Sequence, residues 1–88
     1  MNILELVFQL RMQMLMGSAL YSAIQKCLDQ RHDGYSRALR VWVERRMEGV
    51  ATAKVAFAFP ELNSTIARRT LLAVLERGLI QGAPVDSH

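Results

Sequence analysis

The side chains that could do chemistry in this sequence are few and widely separated. Its two histidines are His32, in a predicted turn, and the terminal His88, and its one cysteine is Cys27. None of them stands at the spacing of a zinc site, and no phosphate-binding loop or nucleophile motif is present. The best-spaced carboxylates, Glu44 and Glu48, lie one helical turn apart amid arginines, which is typical of a solvated charged face. The sequence therefore predicts a protein that is not an enzyme and holds no metal or cofactor.

Two arginine pairs are the remaining candidates for recognition. Arg45 and Arg46 end one predicted helix, and Arg68 and Arg69 lie early in another. Cations near a helix N-terminus oppose the helix dipole, which indicates a role for Arg68 and Arg69 beyond helix stability. Because guanidinium groups pair with carboxylates in two-point geometry, we expect these four arginines to bind an acidic protein surface. Anionic lipid and DNA rank after it, and ordinary surface charge is the alternative.

Length and composition limit the class of protein to which these residues can belong. The chain has 88 residues, which suits a single domain over 1–88, and 51% of them are hydrophobic, which excludes a disordered chain. A net charge of +3 is well short of a nucleic-acid-binding signature. No apolar run reaches the roughly 18–20 residues of a membrane span, and no secretory signal is visible. A lone cysteine cannot form a disulfide framework and fits a reducing compartment.

Hydrophobic periodicity predicts an all-α domain, a small antiparallel bundle of about five short helices. We expect helices over 3–16, 19–30, 36–48, 51–59 and 65–81. Asn2 with Glu5 has the spacing of a capping box. The other predicted N-cap residues are Ser18, Ser36, and Asn63 or Ser64.

Glycines punctuate the predicted helices. Gly17, Gly49 and Gly82 are each expected to end a helix in the left-handed conformation. They stand 32 and 33 residues apart. This spacing fits a degenerate helical-hairpin repeat, and it fits equally well helices of ordinary length joined by glycine.

Three of the helices carry a predicted core face. On the second and third helices it comprises Leu20, Ala23, Ile24, Cys27, Leu28, Leu39, Trp42, Val43, Met47 and Val50. On the last helix it comprises Ile66, Thr70, Val74 and Leu75, with Leu71, Gly78 and Leu79 adjoining. On the solvent side of the third helix, Arg40 and Glu44 have the spacing of an ion pair.

The first helix is apolar around most of its circumference. Its polar residues Glu5, Gln9 and Gln13 form one narrow stripe. Such a helix is either a central core element or a contact surface for a second copy or a membrane. Methionine side chains, which pack adaptably, fit both. The residues expected to carry self-association are Leu4, Val7, Phe8, Met12, Met14 and Leu15.

The stretch from Leu10 to Val85 resembles the cytoplasmic F domain of type II secretion and of type IV or tight-adherence pilus assembly-platform proteins. The resemblance lies in a spaced pattern of apolar positions and helix-ending glycines. The pattern comprises Met16-Gly17, Ala23, Ala38-Leu39, Arg46-Met47-Glu48-Gly49, Phe59, Leu71-Leu72 and Gln81-Gly82-Ala83-Pro84-Val85. The last of these is most similar to the tight-adherence branch.

The resemblance implies an all-helical module at the cytoplasmic face of the bacterial inner membrane. Its implied partners are the cytoplasmic secretion ATPase and other platform proteins, and it implies a homo-oligomer with no small-molecule substrate. Family members carry transmembrane helices that are not found here. Membrane association would then depend on other segments, and the chain is either an excised domain or a free-standing relative.

Two other functions stay open at this point. A free-standing helical dimer could act as an adaptor or chaperone for a secretion component, as the apolar first helix suggests. A small DNA-binding regulator ranks third, because the segment after Gly49 is too apolar to read bases. Neither the partner nor the particular secretion or pilus system follows from the sequence.

Overall fold

The computed structural model describes residues 2–50 and 52–81, and within them the chain is all-helical. The elements are α1 (Ile3–Met12), α2 (Gly17–Leu28), α3 (Gly34–Met47), α4 (Thr52–Ala58), a 3-10 turn (Pro60–Asn63) and α5 (Ile66–Gln81). The predicted all-α class is confirmed. Four helices have ten residues or more, whereas α4 has seven. No helix in the described part is long and apolar enough to cross a membrane.

The capping box at the start of α1 is present as predicted. The Asn2 side chain accepts a hydrogen bond from the Glu5 backbone N–H at 2.8 Å, and the Asn2 N–H donates to the Glu5 carboxylate at 3.1 Å. These two bonds satisfy donors that the first helical turn leaves without intrahelical partners.

The first helix ends four residues earlier than predicted. Met14 takes the left-handed conformation with φ 65°. The Leu15 N–H donates to Leu10 O and the Met14 N–H to Arg11 O, which is the Schellman pattern of a helix end. Gly17 therefore does not end this helix but begins α2, and Met16 stands at the N-cap position predicted for Ser18.

The other predicted caps also moved by one to three residues. Asp33, not Ser36, caps α3, because its carboxylate accepts from both the Ser36 N–H (2.9 Å) and the Ser36 hydroxyl (2.8 Å). At the start of α5, the Thr65 hydroxyl accepts from the Arg68 N–H at 3.1 Å, so the predicted Asn63 or Ser64 cap is wrong. Each true cap lies three residues before the N–H that it satisfies.

Gly49 ends α3 as predicted. Its φ of 92° is left-handed, the Gly49 N–H donates to Arg46 O, and the Val50 N–H donates to Arg45 O. Left-handed residues thus end α1 at Met14 and α3 at Gly49. Gly17 and Gly49 do not occupy equivalent places, so the first glycine interval is not a structural repeat. Gly82 lies outside the described residues.

The predicted helix over 51–59 is shorter in the structure, where it is α4. Pro60 disfavours helical backbone at the residue before it, and Phe59 is accordingly non-helical, with φ −130° and ψ 77°. The chain then makes the 3-10 turn, whose Leu62 is fully buried. Residue 51 lies outside the described part.

One hydrophobic core joins the helices. It comprises Ile3, Val7, Leu20, Ile24, Leu28, Ala38, Leu39, Trp42, Val43, Val55, Leu62, Leu71, Leu72, Leu75 and Leu79. The core predicted for α2 and α3 is confirmed in its central positions, but Met47 is exposed. On α5 the predicted face is rotated: Ile66 is 75% exposed and Thr70 is exposed, while Leu72 is buried.

Polar contacts show the directions of neighbouring helices. Asp29 of α2 forms an ion pair with Arg40 of α3, and the Gln25 amide donates to Glu44 at 3.3 Å. This order makes α2 and α3 antiparallel. It also replaces the predicted pairing of Arg40 with Glu44, since each residue reaches across to α2 instead.

α3 and α5 run in the same direction, contrary to a wholly antiparallel bundle. Arg68 near the start of α5 lies over Tyr35 at the start of α3, and Glu76 further along α5 pairs with Arg46 near the end of α3. The chain returns between them through α4 and the 3-10 turn, which both pack on α3. This return permits two parallel helices to be neighbours.

Gly78 lies at a close approach of α5 to α1 and α2. A Cβ at this position would lie 2.5 Å from Leu20 Cδ2 and 2.9 Å from Arg11 Cδ. Glycine inside a helix costs about 1 kcal/mol against alanine, so its presence here is explained by the space that α1 and α2 need. α5 packs against α1, α2 and α3.

We expect Gly78→Ala to destabilise the fold and Gly34→Ala to stabilise it. Both glycines lie in helices, but a Cβ on Gly34 would meet nothing within 4 Å. Helix propensity then favours alanine at Gly34 by up to about 1 kcal/mol, whereas overpacking at Gly78 costs about 1–3 kcal/mol. Urea unfolding followed by circular dichroism measures both. Equal effects of the two substitutions would contradict the close approach.

We expect the Asp33 cap to contribute stability that acid removes. The backbone and hydroxyl hydrogen bonds from Ser36 hold the pKa of Asp33 below its ordinary value of 3.8. A carboxyl whose folded pKa is the lower one adds stability above its unfolded pKa and loses it as the pH falls through the folded pKa. Asp33→Ala should cost about 1 kcal/mol at neutral pH, and Asp33→Asn less.

Unfolding free energies measured from about pH 6 down to about pH 2 test this linkage. The wild type should lose more stability across this range than Asp33→Asn, which keeps an acceptor but does not titrate. An identical acid loss in the two proteins would show that the cap does not depend on the charge of Asp33.

Candidate interaction surfaces

The described residues place the potentially reactive side chains apart from one another. His32 is exposed in the turn before α3, and Cys27 is a partly buried thiol on α2. Across the described ranges, no three His, Cys, Asp or Glu side chains come close enough to hold a metal ion. His88 lies outside those ranges. The features that distinguish the surface are exposed apolar side chains and arginines.

The end of α1 and the loop after it expose a cluster that we call the methionine patch: Phe8, Met12, Met14 and Met16. Met12 is 82% exposed and Met14 73%, and Phe8 and Met16 are also exposed. The early end of α1 places Met14 outside the helix, in a left-handed turn. Monomeric proteins rarely expose clustered large apolar side chains, and flexible methionines are frequent at adaptable interfaces.

A groove between α1 and α5 begins beside the methionine patch. It encloses about 410 Å³ and is lined by Phe8, Arg11, Thr70, Ala73, Val74 and Arg77. Ile66, Thr70, Ala73, Arg77 and Ile80 recur every three or four residues and form the exposed side of α5. This groove therefore continues the apolar surface from α1 onto α5, with Arg11 and Arg77 at its edges.

The residues predicted for self-association divide into exposed and buried sets. Phe8, Met12 and Met14 are exposed and lie in the methionine patch. Leu4 and Leu15 are half-buried against the core. Val7 is fully buried, so its assignment to a surface is corrected: it faces the core from the side of α1 opposite the polar stripe. The first helix is both a core element and an exposed surface.

Arg46, one of the predicted docking residues, is engaged within the fold. Its Nε donates to the Glu76 carboxylate at 3.2 Å, and its Nη1 donates to Val50 O at 3.3 Å. The side chain is mostly buried. Arg46 thus links the end of α3 to α5 and to the turn after Gly49.

Arg68 is engaged at the other end of α3. Its guanidinium lies 4.0 Å from the centre of the Tyr35 ring, and its Nη1 donates to Glu61 O and to the Ser64 hydroxyl. Burial raises the pKa of the Tyr35 hydroxyl, and the nearby charge of Arg68 opposes that rise. These contacts explain a cation in the first turn of α5 without a partner protein.

Arg45 and Arg69 are the exposed members of the two pairs. Arg69 donates to Asn63 O at 2.9 Å but remains accessible. The two pairs lie far apart. Arg68 lies over Tyr35, and Tyr35 is eleven residues from Arg46 along α3, which corresponds to a rise of about 16 Å. The structure therefore does not bring the four arginines together into one cluster.

Arg45 lies instead beside Lys54, at a pocket between α3 and α4 that sequence reasoning missed. The pocket encloses about 350 Å³ and is lined by Val41, Arg45, Val50, Lys54, Val55, Ala58 and Phe59. The signal that could have revealed it is Gly49, since a left-handed helix end redirects the chain and brings residues on both sides of the turn together.

Comparisons of the chain with models of known protein families, with curated proteins and with solved structures give no match. The surfaces themselves are therefore the basis for a functional conclusion.

We expect Arg46→Ala to reduce stability and Arg45→Ala to leave it nearly unchanged. Arg46 loses a partly buried ion pair and a bond to Val50 O, a cost of about 1 kcal/mol. Arg45 is exposed, so its truncation should stay within about 0.5 kcal/mol. Thermal unfolding of the two variants separates the adjacent residues. Equal losses would mean that the Glu76 pair contributes nothing measurable.

Proposed function

We propose that this chain is a non-catalytic protein–protein interaction module that self-associates through the methionine patch. The observation that carries the proposal is the exposure of Met12 and Met14 beside Phe8. Association would remove the apolar surface of these side chains from water. This burial contributes about 25 cal/mol of favourable free energy per Å² of apolar area. The α1–α5 groove adds apolar area next to the patch and is the natural continuation of such an interface.

The second part of the proposal is docking onto an acidic partner through exposed arginines. Arg45 and Arg69 are accessible for this contact, whereas Arg46 and Arg68 support it by holding α3 and α5 together. Exposed cations steer an acidic partner more than they bind it tightly, so the contact needs an apolar anchor as well.

We place this module in a bacterial secretion or pilus assembly platform, at the cytoplasmic face of the inner membrane, with the secretion ATPase as the acidic partner. The support is the spaced pattern from Leu10 to Val85, in which Gly49 ends a helix although Gly17 begins one, together with the all-helical fold that the pattern implies. Self-association and docking can each be measured on the isolated protein, whether or not it belongs to such a platform.

We expect Met12→Gln with Met14→Gln to weaken self-association by about tenfold or more, because two large apolar contacts are lost. Phe57→Gln is the matched control, since Phe57 on α4 is 89% exposed and lies outside the patch. Sedimentation equilibrium at concentrations up to tens of micromolar, the range of a weak dimer, measures the association constant.

Salt gives this test a second readout. Arg11 and Arg77 border the groove, and a second copy would bring like charges together. Salt screens this repulsion, so self-association should strengthen as the salt concentration rises. A protein that stays monomeric at every concentration and salt, or a double variant that associates like the wild type, would refute the proposal.

A further inference from the structure

The pocket between α3 and α4 follows from the turn at Gly49. Val41 and Arg45 lie four residues apart and share one face of α3, and Lys54 and Ala58 do the same on α4. The left-handed Gly49 and the Val50 N–H bond to Arg45 O end α3 and redirect the chain. The Arg46 bond to Val50 O braces the same turn. The two faces therefore meet across an open pocket.

The lining of this pocket has an apolar floor and a cationic rim. Val55 is buried, and Val41, Val50 and Phe59 are half-buried, so they form a floor that is already held by the core. Arg45 and Lys54 are exposed at the rim, and none of the seven lining residues is acidic. A volume of about 350 Å³ accommodates one or two large apolar side chains, not an extended cofactor.

Both cations line the same pocket. Neither Arg45 nor Lys54 takes part in an ion pair with any residue in the described part of the chain. Bringing like charges together is unfavourable, and an incoming carboxylate would relieve that cost. Arg45 offers two-point hydrogen bonding to a carboxylate, and Lys54 offers a flexible point charge.

From this charge pattern we infer that the α3–α4 pocket binds an acidic segment of a partner protein, whose apolar side chain enters the pocket while flanking carboxylates contact Arg45 and Lys54. The inference rests on the proposed docking function and deepens it, since it adds Lys54 and an apolar anchor that the arginine pairs do not include. Two cations over an apolar floor suit such a peptide better than nucleic acid, whose binding requires several phosphate contacts.

Synthetic peptides with the full-length chain test the inference. The probe is a short fluorescent peptide in which Leu and Phe are flanked by Glu, and the controls replace Glu by Lys or the apolar pair by Ser. Fluorescence anisotropy measures the dissociation constant. We expect the Glu peptide alone to bind, and its affinity to fall by about tenfold as salt rises from about 0.05 M to 0.5 M.

Variants of the chain locate the contact. Lys54→Glu and Ala58→Glu should each weaken peptide binding by about three- to tenfold, since each places a carboxylate at the pocket. Lys26→Glu is the matched control, with the same charge change at an exposed position on α2 that does not line this pocket, and Arg69→Glu tests the proposed arginine docking separately. Circular dichroism confirms that each variant is folded.

The binding data for the variants and control peptides decide whether the α3–α4 pocket is the binding site. Peptide binding lost in Lys54→Glu and Ala58→Glu but retained in Lys26→Glu supports the pocket. Binding lost only in Arg69→Glu overturns the pocket but leaves arginine docking standing. Equal binding of the Glu and Lys peptides overturns both. Binding of duplex DNA or anionic lipid vesicles that requires Lys54, without peptide binding, or dissociation of a homodimer by Ala58→Glu, overturns the inference in favour of that occupant.

Discussion

The fold depends on the packing of α5 against three other helices, and at Gly78 this packing leaves no room for a side chain. The absence of a side chain there admits Leu20 from α2 and the aliphatic part of Arg11 from α1. Leu71, Leu72, Leu75 and Leu79 of α5 then reach the core that contains Trp42. A chain of 88 residues has little interior, so its stability margin is thin and overpacking at this contact is costly. The rotation of α5 that buries these leucines also turns Ile66 and Thr70 outward and thus creates the exposed side of the α1–α5 groove.

The two surfaces differ in how they are held. The α1–α5 groove lies between two long helices that both contribute to the core. The α3–α4 pocket depends on a seven-residue helix that packs on α3 and the 3-10 turn. The turn at Gly49 and the core residue Val55 support this pocket, so a partner meets a preformed site. Their electrostatics differ as well: salt favours burial of the methionine patch and opposes carboxylate binding at Arg45 and Lys54.

The sequence pattern predicted the helical class, the central core residues of α2 and α3, the capping box at Asn2 and the end of α3 at Gly49, because these depend on local chemistry. It failed at Met14, because a left-handed methionine is contrary to local preference and is explained by the Schellman bonds around it. It also failed for the buried face of α5. Both Leu72 and Ile66 are apolar, and packing against the other helices buries Leu72 and leaves Ile66 exposed. The roles of Arg46 and Arg68 depend on Glu76 and Tyr35, which lie 30 and 33 residues away along the chain. Hydrophobic periodicity, which describes neighbouring helical turns, does not reveal contacts between residues so far apart in sequence.

The contact between α1 and α5 also bears on the order in which the chain can fold. These are the first and last helices of the described part, and their pairing closes a loop of more than fifty residues. Local pairs such as α2 with α3 can form as soon as both helices leave the ribosome, whereas the core side of α1, with Ile3 and Val7, has no complete partner until α5 is made. During synthesis α1 therefore presents its inner apolar face along with the methionine patch.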